Sequence, residues 1–170
     1  MATTESTLES TNFLQPTGFK VVIHRKRFKN LEFFAQSVMH PDLNVAPSVA
    51  SFRGTNAQLP GDKLEYGTLT VEAIMDENMN VYKEMHSWLT ANVESNYKAP
   101  SKFKYQDEDM SVYDISIMIL SSNNNTIDTI RYKAAFPISI GTIVFQSTAD
   151  TVQYITFPIT FSYTTFTITK

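Results

Sequence analysis

Apolar and polar residues alternate along several runs of this chain, and that period of two constrains the fold more than any other feature. Gln153 to Thr164 reads QYITFPITFSYT, and Leu69-Thr70-Val71-Glu72-Ala73-Ile74-Met75 places Leu69, Val71, Ala73 and Met75 on one face with Thr70 and Glu72 on the other. Such alternation describes strands with one buried side. The composition agrees, because Thr, Ser, Ile, Val, Phe and Tyr are plentiful while Gly (5) and Pro (7) are few in 170 residues. The expected fold is mainly β (α+β): an antiparallel β-barrel or sandwich with long hairpins and one flanking α-helix.

The helix is expected after Ile74. Asp76 or Asn78 can cap it by accepting a backbone N–H, and Glu77 suits the positive end of the dipole. Val81, Met85, Trp88 and Leu89 then fall at i, i+4, i+7 and i+8, an apolar stripe that ends near residues 91–95. Two hairpins are expected as well. One joins Phe19–His24 to Leu31–Val38 through the basic turn Arg25 to Asn30, and the other joins Ser111–Leu120 to Ile127–Phe136 through the polar turn SSNNNT. Pro137–Gly141 reads as a connection, and Pro158, which lacks an N–H, as the mark of an edge or bulge. Ile115, Ile117 and Ile119 on one face, with Met118 and Leu120 on the other, make that strand a candidate for burial on both sides.

Residues 1–12 are polar and acidic and read as a flexible arm, with residues 13–170 as a single β domain. Residues 40–62 hold prolines, glycines and small polar residues, and read as a long excursion with a short strand at Ser48 to Phe52. Loops of that length are commonly functional or partner-facing. The first residues lack the apolar run of a secretory signal, and no segment has the length of apolar sequence that a membrane-spanning helix requires.

Catalytic and ligand chemistry find little support. The chain has no cysteine, which removes disulfides, thiolate metal sites and cysteine nucleophiles. His24, His40 and His86 are far apart, and Glu84 and His86 lack the second histidine one turn away that a helical zinc site requires. Asp107-Glu108-Asp109 lacks the spaced oxygens and glycine of a calcium loop and reads as a solvated acidic turn. Asn124-Asn125-Thr126 matches a glycosylation acceptor but, without an export signal, reads as a turn. No catalytic, cofactor-binding or metal residue is assigned, and the expectation is that the chain is not an enzyme. A net charge of −3 with 18% charged residues gives no strong field for nucleic acid or an anionic membrane. The one basic cluster, Arg25-Lys26-Arg27-Phe28-Lys29, could stack its aromatic on a base. A charged hairpin tip that blocks edge aggregation, or that meets an acidic face of another copy, fits the charge balance better.

The order of these features resembles that of the tail tube proteins of contractile-tailed bacteriophages. The residues that carry the resemblance are NFLQPTGFKVVI, then the Pro/Gly-rich excursion ending LPGDKLEYGTLTVEAIMDENMNVYKEMHSWL, and two closing β segments. Gly61-Asp62, Tyr66, the strand Leu69 to Ile74, the Met-Asp-Glu turn at 75–77 and the helix with Trp88 are its most telling part. The resemblance implies a structural protein that self-assembles into hexameric rings, which stack into a hollow tube for genome passage inside the virion tail. Assembly would take place in the host cytoplasm, with tail sheath and baseplate proteins as further partners and DNA crossing the lumen unbound. The arm and the 40–62 excursion would touch neighbouring subunits, through Phe13, Pro16, Val49, Phe52, Arg53 and Gln58. Other readings are a tube-initiating baseplate protein, the inner tube of an injection machine, and a β-sandwich that grips a sugar on a tail fibre.

Overall fold

The computed structural model describes residues 13–24, 28, 30–97, 112–147 and 154–170. In chain order the elements are β1 (Phe19–Val22), α1 (Asn30–Phe34), β2 (Ala35–Met39), β3 (Leu43–Val45), β4 (Ser48–Phe52), β5 (Thr55–Leu59) and β6 (Leu64–Tyr66). They continue as β7 (Leu69–Ile74), α2 (Asn80–Tyr97), β8 (Tyr113–Leu120), β9 (Thr126–Ile140), β10 (Thr156–Ser162) and β11 (Thr165–Thr169). The flexible arm expected over 1–12, the cations Arg25–Arg27 and Lys29, and the acidic run 107–109 lie outside the described residues.

Two antiparallel sheets share β9. The first runs β1-β8-β9-β11 and the second β9-β10-β7-β2. The 15 residues of β9 pair with β11 through Lys133 and with β10 from Phe136 onwards, so the strand passes from one sheet to the other. The passage is built at Ala134, whose φ of 52° is left-handed and whose N–H donates to Asp114 Oδ1 at 3.2 Å. One residue in that conformation bends a strand without ending it. Pro137 therefore lies inside β9, opposite Phe161, and the expected connection at 137–141 is corrected.

The expected first hairpin is also corrected. β1 pairs with β8 and β2 with β7, while Asn30–Phe34 forms a short helix between them. The alternation in both segments is real, but it defines faces and carries no information about partners. The second hairpin, β8–β9, forms with Ser116 opposite Arg131 and Ile117 opposite Ile130. Its β8 strand is buried on one face only, at Ile115 and Ile117, with Met118 and Leu120 half-buried. Pro158 stands in an interior strand at the end of the β9 ladder, where its carbonyl accepts from Gly141 N–H at 2.7 Å, and the bulge lies two residues on. The closing alternation breaks after Ser162, and β11 is a further strand that the sequence reading did not separate.

The inner faces of both sheets meet α2. Val81, Met85 and Trp88 are buried against Leu69, Val71 and Ala73 of β7, Ile115 and Ile117 of β8, and Phe157, Ile159 and Phe161 of β10. Trp88 stacks on Phe28 with centroids 4.6 Å apart and meets Tyr113 edge-on at 5.3 Å. Phe28, the aromatic of the basic cluster, is thus a core residue and has no face left for a base. Asp76 holds the start of α2: its Oδ2 accepts from the Asn80 side chain at 2.8 Å and its Oδ1 faces Val81 N–H at 3.4 Å. His86 is exposed and Leu89 half-buried, as a stripe centred on Met85 requires.

Candidate assembly interface

The segment expected as an excursion is a built arm. Leu43, Asn44 and Val45 pair with Tyr66, Glu65 and Leu64, and beyond them Ser48–Phe52 pairs residue for residue with Thr55–Leu59. The tip is the two-residue turn Arg53-Gly54, with φ of 45° and 84°. Positive φ at both positions marks the turn whose twist matches a tight hairpin. The expected strand at Ser48 to Phe52 is present, and Pro60 to Lys63 answers Ala46 and Pro47 between the two rungs.

Glycines fix the path of the arm. A Cβ on Gly61 would fall on the Ala46 carbonyl oxygen, and one on Gly67 would fall on Asp42 Oδ1. Gly67 N–H also donates to the Asp42 carbonyl at 3.0 Å, closing the base of the hairpin. The base rests on an aromatic cluster. Tyr66 lies against Tyr163 and Phe166 with centroids 6.0 and 5.7 Å apart, and Tyr132 meets Tyr163 edge-on at 4.9 Å. His40 Nδ1 is 2.6 Å from the Tyr132 hydroxyl, so β2 is tied to β9 where the arm departs. Burial pushes the phenol pKa values of Tyr132 and Tyr163 upward, which keeps both rings neutral.

The arm itself touches little. All described side chains from Leu43 to Leu59 are exposed, and the cross-strand pairs Leu43–Tyr66 and Val45–Leu64 make one apolar strip. Opposite pairs on a strand ladder share a face, so the strip is continuous over the lower rung. Val49 and Gln58, two of the expected contact residues, are direct cross-strand partners and lie on one face of the upper rung. The Phe52 backbone pairs with Thr55 beside the turn, and Arg53 occupies its first position.

Phe13 and Pro16, the other two, lie elsewhere. Phe13 is 96% exposed and Leu14 62%, and with Gln15 they line a groove against Leu120, Ser121, Ser122 and Ile127 at the β8–β9 turn. Gly18 anchors that segment, because its carbonyl accepts from Leu120 N–H at 2.8 Å. The expected contact residues thus form two neighbourhoods, one on the arm and one at the hairpin turn.

The sequence reading missed the apolar strip of the lower rung and the strand edges. β1, β2 and β11 each carry a ladder on one side only among the described residues. Open edges and exposed apolar side chains on one chain are features of subunits that assemble. A third exposed group, Val144, Phe145 and Tyr154, flanks the segment 148–153. Strict alternation could have signalled Leu43 and Val45, but only the register unites them with Leu64 and Tyr66.

Among the described residues there is no group of three or more His, Asp or Glu side chains able to hold a metal ion. His24 is beside Tyr113, His40 beside Tyr132 and Phe166, and His86 beside Tyr82, three separate settings. No helix among the described residues is long and apolar enough to cross a membrane.

No curated protein matches the sequence. Solved structures with the same fold include the tube-terminating cap of the anti-feeding prophage, at TM-score 0.66 and 17% identity over 99% of each chain. A chain of the PVC extracellular contractile injection system sheath-tube complex, in its extended state, gives 0.65 and 15% over 99% of each chain. A chain of the anti-feeding prophage baseplate gives 0.63 and 12% over 94% of this chain and 97% of that one. The family model for phage tail tube proteins matches residues 7–169, nearly the whole sequence, and the chain belongs to that family of structural, non-enzymatic tail components.

Proposed function

We propose that the protein builds the inner tail tube of a phage virion: copies close into hexameric rings, rings stack into a hollow tube, and the genome passes through it. The observation that carries this reading is the exposed, glycine-guided arm at residues 43–66 on a body whose sheets end in open edges. A solitary folded chain has no use for a two-rung hairpin with an apolar strip in water. In a ring, β2 of one copy can extend the sheet of the next, and the arm can reach a copy in the adjoining ring.

The contact residues in this reading are Val49, Phe52, Arg53 and Gln58 on the arm and Phe13 and Pro16 beside the β8–β9 turn. Arg53 supports it further, since an arginine kept at φ 45° bears a backbone cost that Gly or Asn would lessen. Residues 1–12 would act as a second arm, ahead of a single domain formed by 13–170. Sheath and baseplate proteins would bind the finished tube, which would be made in the host cytoplasm. A second reading, the inner tube of an injection machine, is favoured by the fold shared with chains of the anti-feeding prophage and the PVC system. A tube-initiating baseplate role draws on the similarity to a baseplate chain.

Negative-stain microscopy of purified protein tests the proposal. Rings or tubes with a central channel are expected, and a dispersed monomer at all salt and protein concentrations overturns it. Deletion of residues 1–12 should leave rings and weaken stacking. Particles from producing cells separate the first two readings: DNA-filled virions support the tail tube, and DNA-free particles loaded with protein support the injection machine.

A further inference from the structure

The outer side of the first sheet gathers charges from three strands. Burial of Val21, Ile115, Ile117 and Tyr132 fixes its inner side. Lys20 on β1, Asp114 on β8, and Arg131 and Lys133 on β9 therefore turn outward. Two of these groups are engaged within the subunit. Lys20 is paired with Glu32 at 2.7 Å, and Asp114 Oδ1 accepts from Ala134 N–H at 3.2 Å. Arg131 and Lys133 are exposed and have no ion-pair partner among the described residues. Ser116 and Thr167 lie opposite Arg131, and Thr165 lies opposite Lys133, so their strand neighbours are hydroxyls.

Residues 1–12, which lie outside the described residues, join the body at one end of this sheet. Phe13 and Leu14 line a groove with Leu120 and Ile127, where β8 turns into β9, so the arm departs from the turn end of the first sheet. Its only charged side chains are Glu5 and Glu9, and it contains no glycine or proline. In an extended backbone Glu5, Glu9 and Phe13 project to one side, because side chains alternate. The spacing then matches the sheet. Glu9 precedes Phe13 by four residues and Arg131 follows Ile127 by four, about 13 Å along either extended segment. An arm laid back from Phe13 along β9 brings Glu9 level with Arg131 and carries Glu5 beyond Lys133.

We infer that the outer face of the first sheet is the docking surface of the chain's own residues 1–12, with Glu9 and Glu5 answering Arg131 and Lys133. The arm has the charge sign, the length and the point of departure that this face requires. Its tether also favours it over the arm of another copy, because a short flexible link gives an effective concentration of about millimolar. Exposed ion pairs are weak singly and are screened by salt, so the contact is reversible. Docking therefore holds the arm on its own subunit at low salt and frees it as salt rises. The inference concerns the single chain and stands whether or not the tube reading does.

The full chain in dilute solution tests it. The sequence has no cysteine, so Thr7→Cys combined with Thr167→Cys, opposite Arg131 on β11, supplies one defined thiol pair. A short bis-maleimide should join the two thiols within one chain at low salt, seen as a linked peptide pair from a product of single-chain mass. The yield should fall by about threefold to tenfold at high salt, and by a similar factor when Arg131→Gln and Lys133→Gln are added at low salt. Links found only between chains, or a yield indifferent to salt and to the loss of both cations, overturn the assignment. A second readout needs no cysteine. At low salt a glutamate-specific protease should cut after Glu9 several-fold faster in the Arg131→Gln, Lys133→Gln variant than in the unmodified chain, and equal rates overturn the docking.

Discussion

Replacing Phe28 with alanine should destabilise the subunit by about 3–5 kcal/mol, the range for removing a buried phenylalanine. Phe28 is 3% exposed, stacked on Trp88 at 4.6 Å and edge-on to Tyr113 at 5.4 Å. Losing about 150 Å2 of buried ring surface at about 25 cal/mol per Å2 is about 4 kcal/mol, inside that range. Against a typical domain stability of about 5–15 kcal/mol, the variant stays folded only with a narrow margin. Trp88 is the sole tryptophan, so its fluorescence follows unfolding in urea and reports on the vacated stack. The midpoint should fall without a change in slope, and the native emission should shift to the red as water reaches the indole. The melt belongs at concentrations where assembly is absent, because association stabilises by mass action. A loss below about 1 kcal/mol with unaltered emission would refute the packing argument and return Phe28 to the surface.

Three further outcomes follow from the same structure. Ala134→Gly should raise stability by up to about 1 kcal/mol in a urea melt, because glycine relieves the left-handed residue at the sheet crossover; a loss means the bulge is not strained. Burial raises the Glu84 pKa despite the 2.6 Å hydrogen bond from Asn30, so its folded-state value lies above the unfolded one. The stability it contributes is complete below the unfolded carboxylate range and is lost as pH rises through the folded value. Thermal melts of Glu84→Gln should therefore gain on the unmodified protein as pH rises above about 4, and a pH-independent difference would contradict the shift. Gly61→Ala should leave the global melt within about 1 kcal/mol, since the overpacking falls on an exposed arm, yet hasten proteolysis within residues 43–66 and suppress tube growth. Unchanged cleavage would show that the arm accommodates the methyl group.

The readable parts of this fold were those whose signal is local. The alternation in Leu69 to Ile74 assigned every face of β7, and the stripe Val81, Met85, Trp88 named the side of α2 that meets the sheets. The SSNNNT turn identified β8–β9 because a short polar linker leaves two adjacent strands little choice but each other. Between β1 and β2 the run Arg25 to Asn30 looks equally short and polar, but Asn30–Phe34 is helical and separates the two strands, and their alternation suits any partner. The basic context of Phe28 reads as surface because a single ring among cations has no period to place it in a core. Similarly, Pro137 reads as a break because the sequence does not show that β9 changes partners there.

The expected contact residues divided along the same line. Residues 40–62 stood out by composition, but their prolines and glycines read as a loose excursion, whereas Gly61 and Gly67 are close-approach positions in an ordered hairpin. Which residue opposes which, and so which side chains form one apolar strip, depends on register, a relation between distant segments. By itself the sequence determined β character, the faces of individual strands, the capped helix and the family order, because strand and helix periods act over a few residues. Only the tertiary structure decided the strand partners, the crossover at Ala134, the burial of Phe28 and the meeting of Lys20, Arg131 and Lys133 on one outer face, because each is a long-range pairing selected by the packing of the whole core.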